Sequence, residues 1–337
     1  MPGGLNLRLG PMNKIRTQSW ENSDWELLKQ LRSVFLSETF SESRDYWTSP
    51  HLLQLYHQTF AQRIGWKWDA VLYEVVARVV AENEKSFNVM DYGCGTGIAS
   101  QKIIEHFGSR SISSVWLWDK SPNAINFCEK QLKEVAPELS IRKLDFPEVP
   151  DGNWILCLSH IVNELTDREL QNVLELARKA TYVFWVEPGT SGTSRKLIEV
   201  REKLRVEMNV IAPCTHQERC GMLTGENASH WCHHFALPPN QVYQSAFWHE
   251  FSRRLGIDLR SLPTSYLVLS TNKLNSSASE SACRVIGRPR LYKGNGKFLV
   301  CDEKGVEEMR LLERENKALF KDYKSDIFFK LLPKTVT

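Results

Sequence analysis

A glycine-rich segment is the first part of this sequence whose residue types and spacing could do chemistry. Gly93, Gly95 and Gly97 follow a short apolar run, and Asp91 lies two residues ahead of the first glycine. Glycines let the backbone turn sharply and let a ligand approach the peptide groups. The start of the next helix adds free amide donors. A dinucleotide fingerprint would need a third glycine at position 98, which is Ile98, so the spacing predicts a different ligand.

Two further acids follow the next apolar runs. Asp119 lies 22 residues after Gly97, where an acid can accept hydrogen bonds from both hydroxyls of a ribose, and Asp145 closes the third run. The alternative is that both acids only cap helices or turns. The spacing resembles the cofactor loop of class I S-adenosylmethionine-dependent methyltransferases. That resemblance implies that Asp91, the three glycines, Asp119 and Asp145 bind S-adenosylmethionine, with Asp145 near the adenine.

No catalytic residue is predicted beside this loop. Methyltransferases that act on exocyclic amines carry an Asn/Asp-Pro-Pro-aromatic motif after the fourth strand, whereas residues 159–165 contain no proline. Cys157 lies inside an apolar run, which favours a core thiol over the nucleophile of a pyrimidine carbon-5 methyltransferase. His160 could be a base or a structural group at a strand end. Whether the protein is an enzyme therefore stays open.

Cysteines and histidines are concentrated in a second segment. The three cysteines and four histidines of this segment are Cys214, Cys220, Cys232, His216, His230, His233 and His234. The spacing differs from the paired C-x2-C knuckles of common zinc fingers. A fourth ligand could be Cys283, Cys301 or a local histidine. Zinc accepts three cysteines with one histidine, whereas an iron–sulfur cluster usually has four cysteine ligands, and buried thiols without metal are the third interpretation.

Alternating apolar runs and helical stretches must position these residues. The predicted strands are Phe87–Met90, Val115–Trp118, Ile141–Leu144, Trp154–Leu158, Tyr182–Val186, Tyr266–Ser270, Arg284–Leu291 and Lys297–Cys301. Helical spacing is found over residues 20–85 and within Ile98–Phe107, Ala124–Val135 and Arg168–Ala177. Strand, helix and strand at this spacing predict parallel crossovers in a sheet covered on both faces. The Ser-rich stretch Asn275–Ala282 predicts a linker, and residues 293–296 predict a turn.

A basic segment joins the last two predicted strands. Residues 284–297 contain three arginines and two lysines without an acid, a local charge of +5. A concentrated patch on a β-ribbon can follow a phosphate backbone. An ordinary solvated turn would carry similar charges, so the residues alone leave both interpretations.

Several short stretches together resemble one family. They are Cys214-Thr215-His216, Trp231-Cys232-His233, Glu187-Pro188-Gly189-Thr190, and residues 284–290 followed later by Cys301. They are similar to the mitochondrial small-subunit ribosome assembly methyltransferase-like family, over roughly residues 55–305. The resemblance implies that Cys214, Cys220, Cys232 and Cys301 hold a four-iron four-sulfur cluster. It also implies attachment to the small ribosomal subunit and its ribosomal RNA. Thr215 and Gly221 stand where the family usually has proline, and Cys283 has no counterpart in it.

The expected fold is α/β, a class I S-adenosylmethionine-dependent methyltransferase (Rossmann-like) fold. Residues 1–84 would form an N-terminal tail and helical part, and 85–210 the Rossmann-like domain. Residues 211–282 would add the Cys/His segment and the remaining strands of the sheet. Residues 283–337 would form a basic β extension that carries a metal cluster.

The expected function is small-subunit assembly, either as an S-adenosylmethionine-dependent ribosomal RNA methyltransferase with an iron–sulfur cluster or as a non-catalytic RNA-binding factor with structural zinc. The 42% hydrophobic content and the net charge of +3 exclude general disorder, and no apolar run is long enough to cross a bilayer. The first twenty residues show no secretory signal and predict an unstructured start, with a short transit-like tail as the alternative. We expect a monomer in the cytoplasm, with the mitochondrial matrix as the alternative compartment.

Overall fold

A computed structural model of the chain describes residues 20–36, 47–81, 86–272, 282–324 and 331–334. Of the first twenty residues, for which an unstructured start is expected, only Trp20 is described. The same holds for the expected Ser-rich linker, of which only Ala282 is described, as the first residue of a strand.

The described residues form a sequence of helices and strands, apart from short 3-10 turns. The helices are α1 (Asn22–Leu36), α2 (Pro50–Gln58), α3 (Phe60–Ala81), α4 (Ile98–Phe107), α5 (Pro122–Val135), α6 (Asp167–Lys179), α7 (Ser191–Leu204), α8 (Ala246–Leu255) and α9 (Lys317–Lys324). The strands are β1 (Phe87–Tyr92), β2 (Ile112–Trp118), β3 (Ser140–Lys143), β4 (Trp154–Ser159), β5 (Tyr182–Pro188), β6 (Asn209–Ala212), β7 (His234–Phe235), β8 (Pro263–Ser270), β9 (Ala282–Tyr292), β10 (Asn295–Asp302), β11 (Gly305–Leu312) and β12 (Leu331–Pro333).

The main sheet has the strand order β3-β2-β1-β4-β5-β8-β6, and the short β7 pairs with β8. Strands β1 to β5 are mutually parallel, whereas β8 runs antiparallel to both of its neighbours, β5 and β6. A dinucleotide-binding sheet has the order 3-2-1-4-5-6 without an inserted antiparallel strand. An antiparallel strand between the fifth and sixth is the topology of class I S-adenosylmethionine-dependent methyltransferases, so this part of the fold prediction is confirmed.

Helices on both faces bury the central strands. Neighbouring residues of β5 show this: Phe184 packs with Trp68 and Ile103 on one side, and Trp185 packs with Leu174 on the other. Side chains alternate between the faces of a strand, so a strand covered twice is apolar almost throughout. The start of α6 is fixed by a capping box, in which Thr166 accepts a hydrogen bond from the backbone of Glu169.

The N-terminal helices attach to the sheet through α3, which packs against α4. A side chain at Gly65 would have its Cβ only 3.1 Å from Ile98 Cγ1 and from Lys102 Cε, so the two helices approach closely there. Helix α1 packs instead on α8, where Trp25 and Trp248 are buried. In the described part of the chain, no helix is long and apolar enough to cross a membrane.

A second, antiparallel sheet has the order β11-β10-β9-β12. The predicted turn is a two-residue hairpin at Lys293-Gly294, because Tyr292 pairs with Asn295. Alternation along β9 gives this sheet two apolar faces. Cys283 packs with Phe320 of α9, whereas Ile286 packs toward the main domain. Helices α8 and α9 and strands β6, β7, β11 and β12 were not predicted from the sequence.

Candidate cofactor and metal sites

The glycine loop connects β1 to α4 and has its glycines in left-handed backbone conformations, with φ of 74° at Gly93, 50° at Gly95 and 79° at Gly97. A Cβ at Gly97 would lie 2.6 Å from Cys128 Sγ, so the loop also needs glycine for space. The amides of Gly93 and Cys94 donate to the Trp118 carbonyl at 2.8 and 3.0 Å. The protein's own backbone therefore holds the loop in shape.

Asp119 follows β2 and contacts this loop directly. Its Oδ2 accepts a hydrogen bond from the Gly95 amide at 2.9 Å, and its Oδ1 accepts one from the Ser121 amide at 2.9 Å. The capping interpretation is therefore present in the structure. It is compatible with ribose binding, because an ionised carboxylate has about four acceptor positions.

The other two acids predicted at this edge differ in burial. Asp91 is 1% exposed; its Oδ2 accepts from Ser100 Oγ at 2.6 Å, and its buried Oδ1 has no hydrogen-bond partner among the described residues. Burial raises the pKa of Asp91 to about 6. Asp145 is exposed and lies two residues beyond β3 rather than at its end. The glycine loop, Asp119 and Asp145 share the carboxyl edge of the sheet, next to the switch in strand order between β1 and β4.

The loop after β4 borders the same edge. Glu187, at the end of β5, is 1% exposed, and its Oε1 accepts from the amides of Ile161 and Val162 and from Trp185 Nε1, at 2.7–3.0 Å. Burial raises the pKa of Glu187 to about 7. A Cβ at Gly93 would lie 3.0 Å from Ile161 Cγ2, so this loop packs directly on the glycine loop.

The structure brings together all four cysteines predicted to bind metal. Cys214 follows β6, Cys220 precedes a 3-10 turn, Cys232 precedes β7, and Cys301 lies on β10. Cys214, Cys220 and Cys232 line a cavity of about 30 Å³ with residues of α7 and β8, including Arg201. Cys301 packs with Cys220 and Cys232 in the same apolar cluster.

The thiols of these cysteines influence one another electrostatically. Burial, followed by the neighbouring Cys214, raises the pKa of Cys220 to about 11. Burial and the other cysteines of the set also raise the pKa values of Cys232 and Cys301 well above the ordinary thiol value. Thiolates are the form that binds metals, and several of them close together repel one another unless a cation lies between them. The donor set therefore fits a metal ion or cluster.

Polar side chains surround the four cysteines. Arg201 of α7 is 3% exposed, and its Nε donates to Cys214 Sγ at 3.2 Å. The Nε2 atom of His216 lies 3.6 Å from Cys301 Sγ, and that of His234 lies 3.7 Å from Cys232 Sγ. Within the described ranges, however, no three Cys, His, Asp or Glu side chains are gathered as closely as a completed metal site requires.

Cys283, the alternative fourth ligand, lies apart from this set. It is 4% exposed, and its Sγ donates to the Leu332 carbonyl at 3.5 Å, on the side of β9 that faces α9. Side chains alternate between faces, so Arg284 points the other way, toward the main domain.

The basic segment is less exposed and carries less net positive charge than its sequence predicts. Arg284 is 4% exposed, donates to the Pro213 carbonyl at 2.5 Å and pairs with Glu74 of α3. Arg290 and Lys297 both pair with Glu308 of β11. A count of charge along residues 284–297 omits these acids, so the surface carries less than +5. Arg288 and Lys293 are exposed.

Sequence reasoning missed two polar side chains near these sites. Lys67 is 7% exposed on α3, and a lysine between Trp66 and Trp68 in an otherwise apolar helix was the available signal. Glu202 accepts from the Cys220 amide at 3.1 Å, and no signal in the sequence distinguished it from a surface acid.

Comparison with known proteins gives partial likenesses to methyltransferases. Malonyl-[acyl-carrier protein] O-methyltransferase 1 of Ilyobacter polytropus is 28% identical over 123 residues, 36% of this chain and 44% of the relative, so the chain matches under half of that protein. The magnesium protoporphyrin IX methyltransferase of Synechocystis PCC 6803 with bound S-adenosylmethionine has a TM-score of 0.38 at 12% identity, covering 75% of this chain and 99% of that one. TrmK of M. capricolum with S-adenosylhomocysteine has a TM-score of 0.31 at 9% identity, covering 56% and 64%. The strand order, rather than these likenesses, identifies the fold.

A family model covers most of the chain. The model described as "Mitochondrial small ribosomal subunit Rsm22" matches residues 61–327, which include nearly all of α3, the glycine loop, the four cysteines and strands β9 to β11 of the second sheet. The chain belongs to the family of the mitochondrial small ribosomal subunit protein Rsm22.

Proposed function

We propose that this protein binds S-adenosylmethionine and acts on ribosomal RNA of the small subunit during its assembly, as a methyltransferase. The observation that carries the proposal is the glycine loop with Asp119 at the carboxyl edge of a class I methyltransferase sheet. When bound, S-adenosylmethionine supplies a methyl group on a positively charged sulfur. Gly93, Gly95 and Gly97 allow close approach of the ligand to the backbone, and Asp119 accepts hydrogen bonds from the ribose. Asp91 and Asp145 lie at the same edge.

The proposed partner is the small ribosomal subunit through its RNA, and the protein acts as a monomer. The family description supports this partner and favours the mitochondrial matrix over the cytoplasm. On the chain itself, we propose that two exposed cations of the basic segment, Arg288 and Lys293, contact phosphates.

We further propose that Cys214, Cys220, Cys232 and Cys301 hold a four-iron four-sulfur cluster. Support comes from the four-cysteine donor set and from the raised pKa values of Cys220, Cys232 and Cys301, which burial and then the neighbouring cysteines cause and which a bound cation would lower. The cluster would join the segment after β6 to β10 of the second sheet. A single zinc ion is the alternative, with three of the cysteines and either His216 or His234, both of which contact a cysteine sulfur.

A second candidate function is a non-catalytic assembly factor. The absence of proline in residues 159–165 favours it, because the motif of amine methyltransferases is missing there. In this case the cofactor pocket stabilises the fold, and the metal site fastens the second sheet.

Two measurements test the proposed function. Titration calorimetry of the anaerobically purified protein with S-adenosylmethionine should show saturable binding, and its absence would exclude the enzyme. Crosslinked RNA recovered from cells should map to small-subunit ribosomal RNA. Binding of cofactor together with crosslinks but without methyl transfer would support the assembly factor.

A further inference from the structure

The backbone at His160 has a conformation that its residue type disfavours. It has φ of 58°, and it is the one non-glycine residue with positive φ among those described. Such conformations cost energy and persist where surrounding contacts impose them, often at functional sites. Here the His160 amide donates to the Val186 carbonyl at 2.9 Å, and Glu187 binds the next two amides.

This conformation places the imidazole against a buried lysine. Lys67 Nζ lies 3.4 Å from His160 Nε2, and that ring nitrogen is its one hydrogen-bond partner in the part of the chain that is described. Lys67 reaches this position because Trp68, the next residue on α3, donates its indole N–H to Ser159 Oγ at 2.9 Å. The helix is thereby fixed to the end of β4.

The pair lies beside the proposed cofactor site. The loop that begins at His160 packs on Gly93 through Ile161. The pair is therefore at the carboxyl ends of β4 and β5, where the loop that begins at His160 packs against the cofactor loop.

We propose that the Lys67 amine accepts the proton that a nitrogen or oxygen acceptor loses on methylation, and that His160 positions this amine. The inference rests on the proposed function. The acceptor's lone pair forms the bond to the methyl carbon, the carbon–sulfur bond breaks, and the sulfur keeps the electron pair. The N–H or O–H proton moves to Lys67 Nζ, which becomes an ammonium. The substrate class is thus an acceptor that carries a proton, such as a ring N–H or a ribose hydroxyl.

Electrostatics support the free amine. The charged and titratable groups that face Lys67 are Arg63, one turn earlier on α3, His160 after β4, and Glu187 at the end of β5. Burial, followed by Arg63, lowers the pKa of Lys67 to about 7, and Glu187 opposes this shift. Burial and Lys67 hold the pKa of His160 well below its ordinary value, so the ring is neutral and can accept a hydrogen bond from the amine. A base with a pKa near the working pH is efficient.

Substitutions of Lys67 distinguish a role as proton acceptor from a role as a structural positive charge. The assay is transfer of tritiated methyl from S-adenosylmethionine to immature small subunits isolated from cells depleted of the protein. Lys67→Met and Lys67→Arg should each reduce transfer by roughly a hundredfold or more, because arginine keeps the charge but does not deprotonate. His160→Asn, whose residue type tolerates positive φ, should change the pH profile with a smaller loss. Lys102→Met is the matched control, since Lys102 of α4 is paired with Asp69 of α3 and with Glu105 rather than with His160.

A second measurement does not depend on activity. With lysines labelled by carbon-13 at Cε, one resonance should titrate near pH 7 and be missing in Lys67→Arg. Wild-type transfer should rise as the pH increases through the same value. Titration of Lys67 near 10.4, or transfer by Lys67→Arg within about threefold of the wild type, would overturn the inference. A wild type that transfers methyl groups and is matched by Lys67→Arg would overturn the inference alone, whereas a wild type that binds S-adenosylmethionine but transfers no methyl group would overturn the proposed methyltransferase together with the inference.

Discussion

The glycine-loop edge and the four-cysteine pocket differ in how their polar groups are stabilised. At the edge, Asp119 accepts two backbone amides, and the loop amides bond to the Trp118 carbonyl. In the pocket, burial and, after it, the neighbouring cysteines raise the pKa values of Cys220 and Cys232. The first site is therefore formed without its ligand. If the second site binds the proposed metal, its thiols must ionise, so metal loading should release protons and add to the free energy of unfolding.

The largest expected effect comes from removing one pocket thiol. Cys301→Ser should lose the metal and loosen the protein after about residue 210, because the ligand joins two parts of the chain. A structural metal site can contribute roughly 10–16 kcal/mol to folding. Metal analysis, colour and limited proteolysis measure the loss.

Cys283→Ser is the matched control for this prediction, since Cys283 is equally buried but faces α9. It should keep the metal and the protease resistance. One zinc and no iron in anaerobically purified wild type would replace the cluster by a zinc site. A stable, coloured Cys301→Ser would show that another residue is the fourth ligand.

A smaller effect on stability is expected at Glu187, on the glycine-loop side of the comparison. Its pKa of about 7 in the folded state lies above the ordinary value of 4.5, so the folded state binds the Glu187 proton more tightly than the unfolded state does. Its contribution to stability is therefore present below pH 4.5 and is lost as the pH rises through about 7. Glu187→Gln keeps an acceptor oxygen but does not titrate. Between pH 5 and 8 its free energy of unfolding should therefore rise by up to about 3 kcal/mol relative to that of the wild type.

Urea unfolding at pH 5 and at pH 8 measures the difference in the free energy of unfolding between Glu187→Gln and the wild type. Glu202, beside the pocket, gives a control of opposite sign. Side-chain and backbone hydrogen bonds outweigh burial and lower the pKa of Glu202, so its contribution is lost as the pH falls. If the stability of Glu187→Gln depends on pH in the same way as that of the wild type, the raised pKa of Glu187 is contradicted.

Asp119→Asn tests the cofactor contact itself. The amide side chain keeps one acceptor oxygen but loses the charge and one ribose bond, so affinity for S-adenosylmethionine should fall by about 1–3 kcal/mol. Calorimetry measures the change, and thermal unfolding checks that the loop is intact. Unchanged affinity would mean that Asp119 only caps the loop.

The smallest expected effect concerns RNA and the surface of the second sheet. Glu308 pairs with both Arg290 and Lys297, so Glu308→Gln should strengthen binding to small-subunit RNA by under about 1 kcal/mol and steepen its salt dependence. Replacing Arg288 and Lys293 with alanine should act in the opposite direction. If neither variant changes the salt dependence of binding, RNA contacts the protein elsewhere.

Local patterns were sufficient for much of the fold. The five parallel strands and α4 were predicted because buried strands are almost wholly apolar and the helices between them are periodic. Short or edge elements such as β6 and β12 carry too few residues for a pattern. The position of β8 between β5 and β6 depends on pairing across more than fifty residues, which no local pattern encodes.

The same difference between local patterns and distant contacts applies to the candidate sites. Spacing located the glycine loop and Asp119, because a few consecutive residues form that site. Charge counting failed for Arg284 and Arg290, because their acidic partners, Glu74 and Glu308, come from other elements. Lys67 and His160 are 93 residues apart in sequence and meet only because α3 lies across the ends of β4 and β5.

The position of Cys301 also determines when the proposed set of four cysteines is complete during synthesis. Cys214, Cys220 and Cys232 are synthesised before β8, whereas Cys301 follows on β10 after the main sheet has all its strands. During translation the chain therefore passes through a stage in which all strands of the main sheet but only three of the four thiols have been synthesised. The proposed metal site would have all its ligands only once β10 is synthesised, and a nascent chain interrupted before β10 would carry the glycine loop but an incomplete set of cysteines.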